Sequence, residues 1–192
     1  MKVLIVALIY GGRTIQIIQD NIDNAGYPAR LKFVCTEGIA NALNNGIDEM
    51  KRGNFDAVAF LANDIIEPDN WLKKKIDALQ YPDAGVVASS LDCGRTEIVS
   101  ELIISNWLIP KETIEKVGYF QESMFPYGPI DLDYCERCYA AGLKTYYVKD
   151  CLAIHEGSHA TGNEYGWSKD EAVSLGWAKM YKKGDNFYKE RL

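Results

Sequence analysis

Apolar residues follow two alternating rhythms along the first half of the chain. Short, mostly apolar runs occupy residues 1–10 (MKVLIVALIY), 31–35 (LKFVC), 57–62 (AVAFLA) and 84–90 (AGVVASS). Runs of that length, bounded by turn residues, suit strands buried in a parallel sheet. Between them apolar positions fall three or four apart: Ile15, Ile18 and Ile22; Ile39, Leu43, Ile47 and Met50; Trp71, Leu72, Ile76 and Leu79. That spacing gathers them on one side of a helix. Thr14 is the expected cap of the first helix, residues 24–28 (NAGYP) end it, and Gly53-Asn54 closes the second. Strand and helix alternating in this way imply right-handed crossovers and a parallel sheet.

The third run carries the most chemistry. It stops at Asn63-Asp64, and Glu67-Pro68-Asp69 follow before Trp71. The proline forbids an interior strand, and the acids suit the first turn of the next helix. Open α/β sheets bind ligands beyond the carboxyl ends of their strands. Asp64 is therefore either a metal-holding acid or a turn residue. The second run likewise ends at Thr36-Glu37-Gly38, with another carboxylate at a strand end.

Beyond residue 90 the rhythm loosens. Residues 92–95 read as a loop, 97–107 as an alternating exposed or edge strand, and 110–117 as a short helix stopped by Gly118. The segment GYFQESMFPYGPIDLDYCER, residues 118–137, interleaves aromatics with Gly and Pro, which suits a loop facing a ligand. Asp131 and Asp133 open a helix that runs to Gly142. The helix dipole favours acids there in any case; one can cap while the other is left for chemistry. Residues 144–148 and 151–155 read as two short strands, 168–181 as an amphipathic helix and 182–192 as a charged tail.

Composition removes several classes of function. At 192 residues, nearly half of them apolar, the chain is one domain with a sizeable core. A net charge of −6 with scattered Lys and Arg argues against nucleic acid as a partner. The apolar N-terminal run is shorter than a membrane span and lacks a cleavage site, so no membrane span or signal peptide is expected. Gly11-Gly12 is not a dinucleotide fingerprint, and no phosphate-binding P-loop motif is present. The five cysteines are odd in number and contain one close pair, Cys135-x-x-Cys138. They form no disulfide framework; free thiols in a reducing, cytoplasmic setting fit best, and a redox or zinc role for the pair lacks a second pair beside it.

His155-Glu156-Gly157-Ser158-His159 satisfies H-E-x-x-H, with Gly162 where a metzincin places its glycine. A zinc metalloprotease is thus one reading. That chemistry needs both histidines on one helix face, yet Gly157-Ser158 lies between them and the preceding residues look like strand. Tyr165 stands where a third ligand belongs. The other readings are a histidine at a strand end facing a metal, and a hydrogen-bonded loop histidine.

In this order the three concentrations resemble the GT-A-fold glycosyltransferases, most nearly inverting family 2 and its rhamnosyltransferase-like members. The resemblance spans residues 1–162. Leu61-Ala62-Asn63-Asp64, followed by Trp71-Leu72, resembles the family's acidic strand-end signature; residues 42–47 (ALNNGI) resemble A-R-N-x-G-I; residues 118–122 (GYFQE) resemble G-G-F-D-E. Most specific is YGPIDLDYCER, residues 127–137, beside Y-G-x-E-D-x-D-L-C-x-R, followed by Ala141-Gly142 and then His155. The chain as a whole also resembles transferase domains of large algal-virus proteins that decorate capsid glycans, which implies further domains of a longer chain.

The resemblance implies an α/β fold: a single GT-A domain with a Rossmann-like, mostly parallel central sheet flanked by helices and a small antiparallel edge. Residues 1–90 would form the nucleotide-binding half, 91–165 the acceptor and catalytic half, and 166–192 a C-terminal helix and tail. It implies transfer of a sugar, with inversion, from a UDP- or dTDP-linked donor to a hydroxyl of a glycan or glycoprotein. Asp131 would be the general base. Asp64 and His155 would hold Mn²⁺ or Mg²⁺; Ala7, Tyr10, Glu37, Asn44, Asn63 and Asp64 would line the donor; Glu122 and Tyr127 would face the acceptor. Three positions depart from the family pattern, Ala62 for an acid, Leu43 for an arginine and Ile130 for a glutamate. These departures motivate a further alternative, a nucleotide-sugar-binding module without turnover.

Overall fold

The structure, a computed structural model, describes residues 1–9, 15–35, 38–92, 106–124 and 130–155. The elements expected over 97–105 and 168–181 lie outside these. In chain order the described elements are β1 (Val3–Leu8), α1 (Gln16–Asp23), β2 (Ala29–Val34), α2 (Ile39–Arg52), β3 (Ala57–Ala62), β4 (Ile65–Ile66), α3 (Trp71–Ala78), β5 (Ala84–Asp92), β6 (Trp107–Pro110), α4 (Lys111–Val117), α5 (Ile130–Ala140) and β7 (Lys144–His155). A 3-10 turn over Glu122–Met124 precedes α5.

The strands form one mixed sheet in the order β2-β1-β3-β6-β5-β7-β4. β1 pairs in parallel with β2 and β3, as their apolar runs predict, and β5 pairs in parallel with β7. β1 and β3 are buried at every position because helices cover both faces. On one face Leu4, Val6 and Leu8 pack with Leu43, Ile47 and Met50 of α2, Ile114 of α4 and Tyr134, Cys135 and Cys138 of α5. On the other, Val3, Ile5 and Ala7 pack with Ile18 of α1 and Trp71 and Leu72 of α3.

Three departures from the sequence expectations have physical causes. First, the strand expected over 97–107 is described only from residue 106, and its last residue, Trp107, opens β6, which is buried and runs antiparallel between β3 and β5. Pro110 is tolerated at its last position, where it leads directly into α4. Second, the two short strands expected over 144–155 are one strand, β7, whose register against β5 jumps between Ser89↔Val148 and Ser90↔Leu152. Third, α3 starts at Trp71, so Glu67 and Asp69 lie outside its first turn. Backbone groups serve that end instead: the N–H of Asn70 donates to the Asn24 carbonyl at 2.7 Å, and that of Lys73 to the Ala25 carbonyl at 3.2 Å.

Among the described residues no helix is long and apolar enough to cross a membrane. Helix and sheet come close at Gly46 of α2, where an added Cβ would lie 2.9 Å from Phe60 Cε1 and 3.0 Å from both Val6 methyls. Gly46→Ala is therefore expected to destabilise the fold by ~1–3 kcal/mol through overpacking, read as a lower urea midpoint at unchanged slope.

Candidate active site

The sheet brings strand ends together. Leu8 at the end of β1 is level with Val34 of β2 and Ala62 of β3. Because β6 is antiparallel to both neighbours, β5 and β7 point the same way as β3. β7 ends at His155, which pairs with Ile65, the residue after Asp64. The backbone thus places Asp64 and His155 one position apart across an antiparallel pair, although 91 positions separate them in sequence (155 minus 64). The short turn 141–143 joins α5 to the start of β7, and Thr145 Oγ1 of β7 donates to Cys135 Sγ of α5 at 3.4 Å.

The turn that carries Asp64 is held from beneath by a buried polar network. Asn21 of α1 donates through Nδ2 to the Ile65 carbonyl at 2.7 Å and accepts the Glu67 N–H at 2.8 Å. One side-chain amide thereby meets the two backbone groups that a neighbouring strand would have met, and it closes the outer edge of β4. The Asn21 carbonyl also accepts Trp71 Nε1 at 2.7 Å. Glu67 follows with a carboxylate that has no exposed surface: Oε1 accepts from Lys75 Nζ at 2.7 Å and Oε2 from Ser89 Oγ at 2.6 Å. Lys75, equally buried, also donates to the Asn106 carbonyl at 2.7 Å and lies 4.7 Å from the centre of the Trp71 ring. Cys151 Sγ sits 3.1 Å from Ser89 Oγ, and burial pushes its thiol pKa up.

On the α5 side the two acids of the first turn separate. Asp133 Oδ2 accepts from Arg137 Nη2 at 2.8 Å and Nε at 3.0 Å, one turn along the helix. Arg137 Nη1 donates to the Val117 carbonyl at 2.8 Å, tying α5 to the end of α4. Asp131 is half-buried, and its Oδ1 accepts the N–H of Leu132 at 3.1 Å. Cys135 and Cys138 point into the core, where burial raises both thiols to about 12. They are protonated and unreactive at neutral pH. No cluster of three or more His, Cys, Asp or Glu side chains suited to a metal occurs among the described residues.

The remaining expected site residues fall as follows. Asn63 is buried and Asp64 half-buried at the end of β3. Ala7 is wholly buried beneath the sheet with Ile5 and Leu61. Asn44 is buried in α2 and bonded to the 118–124 segment, whose Glu122 is exposed. Tyr10, Glu37 and Tyr127 lie outside the described residues, as do residues 156–159 of the H-E-x-x-H string. The first histidine of that string ends a strand, so at that residue the backbone is not the helix a zincin requires.

No protein-family model matches the sequence, and no curated protein sequence matches it. The fold has solved counterparts. GalNAc-T7 with UDP, GalNAc and Mn²⁺ superposes with a TM-score of 0.63 at 10% identity, over 80% of this chain and 43% of that one. The mannosyltransferase PcManGT from Pyrobaculum calidifontis, in complex with GDP-Man and Mn²⁺, gives 0.60 at 14% identity, over 94% and 69%. A197 from STIV gives 0.56 at 16% identity, over 82% and 87%. The chain thus carries the GT-A fold, and it spans less than half of the GalNAc-T7 chain.

The buried ion pair has a measurable signature. Lys75→Met alone strands the Glu67 carboxylate and is expected to cost ~3–5 kcal/mol, whereas Lys75→Met with Glu67→Leu removes both charges and recovers most of that loss. Urea unfolding of the two variants decides it; a single variant as stable as the double would contradict the pairing.

Proposed function

We propose that the chain is a metal-dependent glycosyltransferase that moves a sugar from a nucleoside-diphosphate donor to a hydroxyl of a glycan, with inversion. The observation that carries the reading is the pairing of Ile65 with His155, which sets the backbone of Asp64 beside the end of β7 in a GT-A sheet. Two structural counterparts hold UDP or GDP-Man together with Mn²⁺, which favours a nucleotide donor.

The residue types fit such a metal. A carboxylate and an imidazole on neighbouring backbone positions are a donor set that Mn²⁺ accepts, and Asp64 with His155 would hold it. When bound, the ion offsets the charge that develops on the departing diphosphate. Ala62, level with Leu8, leaves Asp64 as the carboxylate that β3 delivers, so donor oxygens would complete the coordination.

Asp131 is the general base in this reading. A carboxylate in the first turn of a helix faces the positive end of the helix dipole. It takes the proton from the acceptor hydroxyl as that oxygen attacks the anomeric carbon opposite the diphosphate. Asp133 is committed to Arg137 and holds the helix in place. UDP and dTDP are the nucleotides to test first, and a hexose the sugar.

Asp131→Asn is expected to lower turnover by ~10²–10⁴-fold while UDP still binds in the presence of Mn²⁺. Asp64→Ala is expected to weaken both turnover and UDP binding, and a chelator should abolish the UDP-induced rise in melting temperature. Near-normal turnover by Asp131→Asn would remove the base assignment.

A further inference from the structure

We infer that Asn44 is a positioning residue for the acceptor, acting through Glu122, and makes no contact with the donor. The inference rests on the transferase reading above. Its basis is how the amide is occupied. Nδ2 carries two hydrogens, and both have acceptors: the Phe120 carbonyl at 3.1 Å and Glu122 Oε1 at 2.8 Å. Oδ1 accepts the Phe120 N–H at 2.9 Å. No N–H of this side chain remains for a diphosphate or a nucleobase. The residue is buried, so the clamp sits behind the surface that a ligand would meet.

The clamp acts at a distance in sequence and at close range in space. Asn44 and Phe120 are 76 positions apart, and both backbone polar groups of Phe120 end on the one side chain. The Phe120 ring stacks on Tyr134 of α5 with centroids 4.3 Å apart and meets Phe60 of β3 edge-on at 6.1 Å. Residue 120 is therefore fixed from α2, from β3 and from the helix that carries Asp131 one turn earlier. Two residues on, Glu122 emerges to solvent with one carboxylate oxygen already oriented from behind. An exposed carboxylate held in this way suits a sugar hydroxyl, because its conformational freedom is reduced before the ligand arrives.

Asn44→Asp tests this selectively. The variant still accepts the Phe120 N–H but loses both donated bonds and sets a second carboxylate against Glu122. UDP affinity with Mn²⁺ is measured by calorimetry, and transfer is assayed on a panel of methyl glycosides with UDP- and dTDP-hexoses. The expected result is an acceptor KM raised about tenfold, the value of one hydrogen bond to a charged group, with the UDP Kd unchanged to within about twofold. Glu122→Ala, at an exposed position where folding is not at stake, should raise the acceptor KM equally, and the double variant should be no worse than either single one. A weakened UDP Kd with unchanged acceptor KM would overturn the inference and make Asn44 a donor contact. Unchanged values for both in folded protein, or additive single effects, would overturn it too. A wild-type chain that binds UDP yet glycosylates none of the panel overturns the acceptor assignment, whereas one that binds neither UDP nor Mn²⁺ overturns the transferase reading itself.

Discussion

An ammonium and a carboxylate meet in the middle of this protein with no water on either. Lys75 and Glu67 have no exposed surface and stand 2.7 Å apart. Either charge alone would be costly to bury, so the structure is consistent only when both are in place with their remaining valences filled by Ser89 and the Asn106 carbonyl. Those partners come from α3, β5 and the start of β6, and Cys151 of β7 closes the group. One ion pair thereby checks the mutual placement of the elements flanking β4. A hydrophobic plug of the same volume could fill the space, but it would not be directional, and direction is what a two-residue strand carrying Asp64 on its flank requires.

Much of the frame is legible in the chain. The runs at residues 3–8 and 57–62 are apolar at every position because helices cover both faces of those strands, and the spacing of Leu43, Ile47 and Met50 marks the buried side of α2. The polar core is not legible for the same reason that the apolar core is. Periodicity reports which side of an element avoids water, and Glu67, Lys75 and Asn21 are polar residues on sides that avoid it. Glu67 beside Pro68 and Asp69 imitates a helix start, and its partner lies eight positions on, a spacing that no helix rule singles out. The register jump in β7 has no glycine or proline to announce it. In α5, spacing treats Asp131 and Asp133 alike; they differ because Arg137 stands one turn beyond the second.

The two sides of the candidate site are built differently. Beneath Asp64 the support is a network of buried hydrogen bonds with charged members, tied to four elements. At residues 118–124 it is the Asn44 amide, the Phe120 ring against Tyr134 and Phe60, and the exposed Tyr119 hydroxyl on Asp48. Local opening follows the number and burial of such contacts, and the β4 side carries the buried charged ones.

The network under β4 also sets an order of assembly. β1, β2 and β3 belong to the first 62 residues and their parallel pairs need no later strand, so their layer can form as soon as α1 and α2 are available to cover it. Glu67 cannot be satisfied then, because Ser89, the Asn106 carbonyl and Cys151 have yet to leave the ribosome. Its charge keeps the chain beyond β3 in water until β7 arrives to pair with Ile65. During synthesis the corner around β4 is therefore the last part to set, after the layer of β1, β2 and β3.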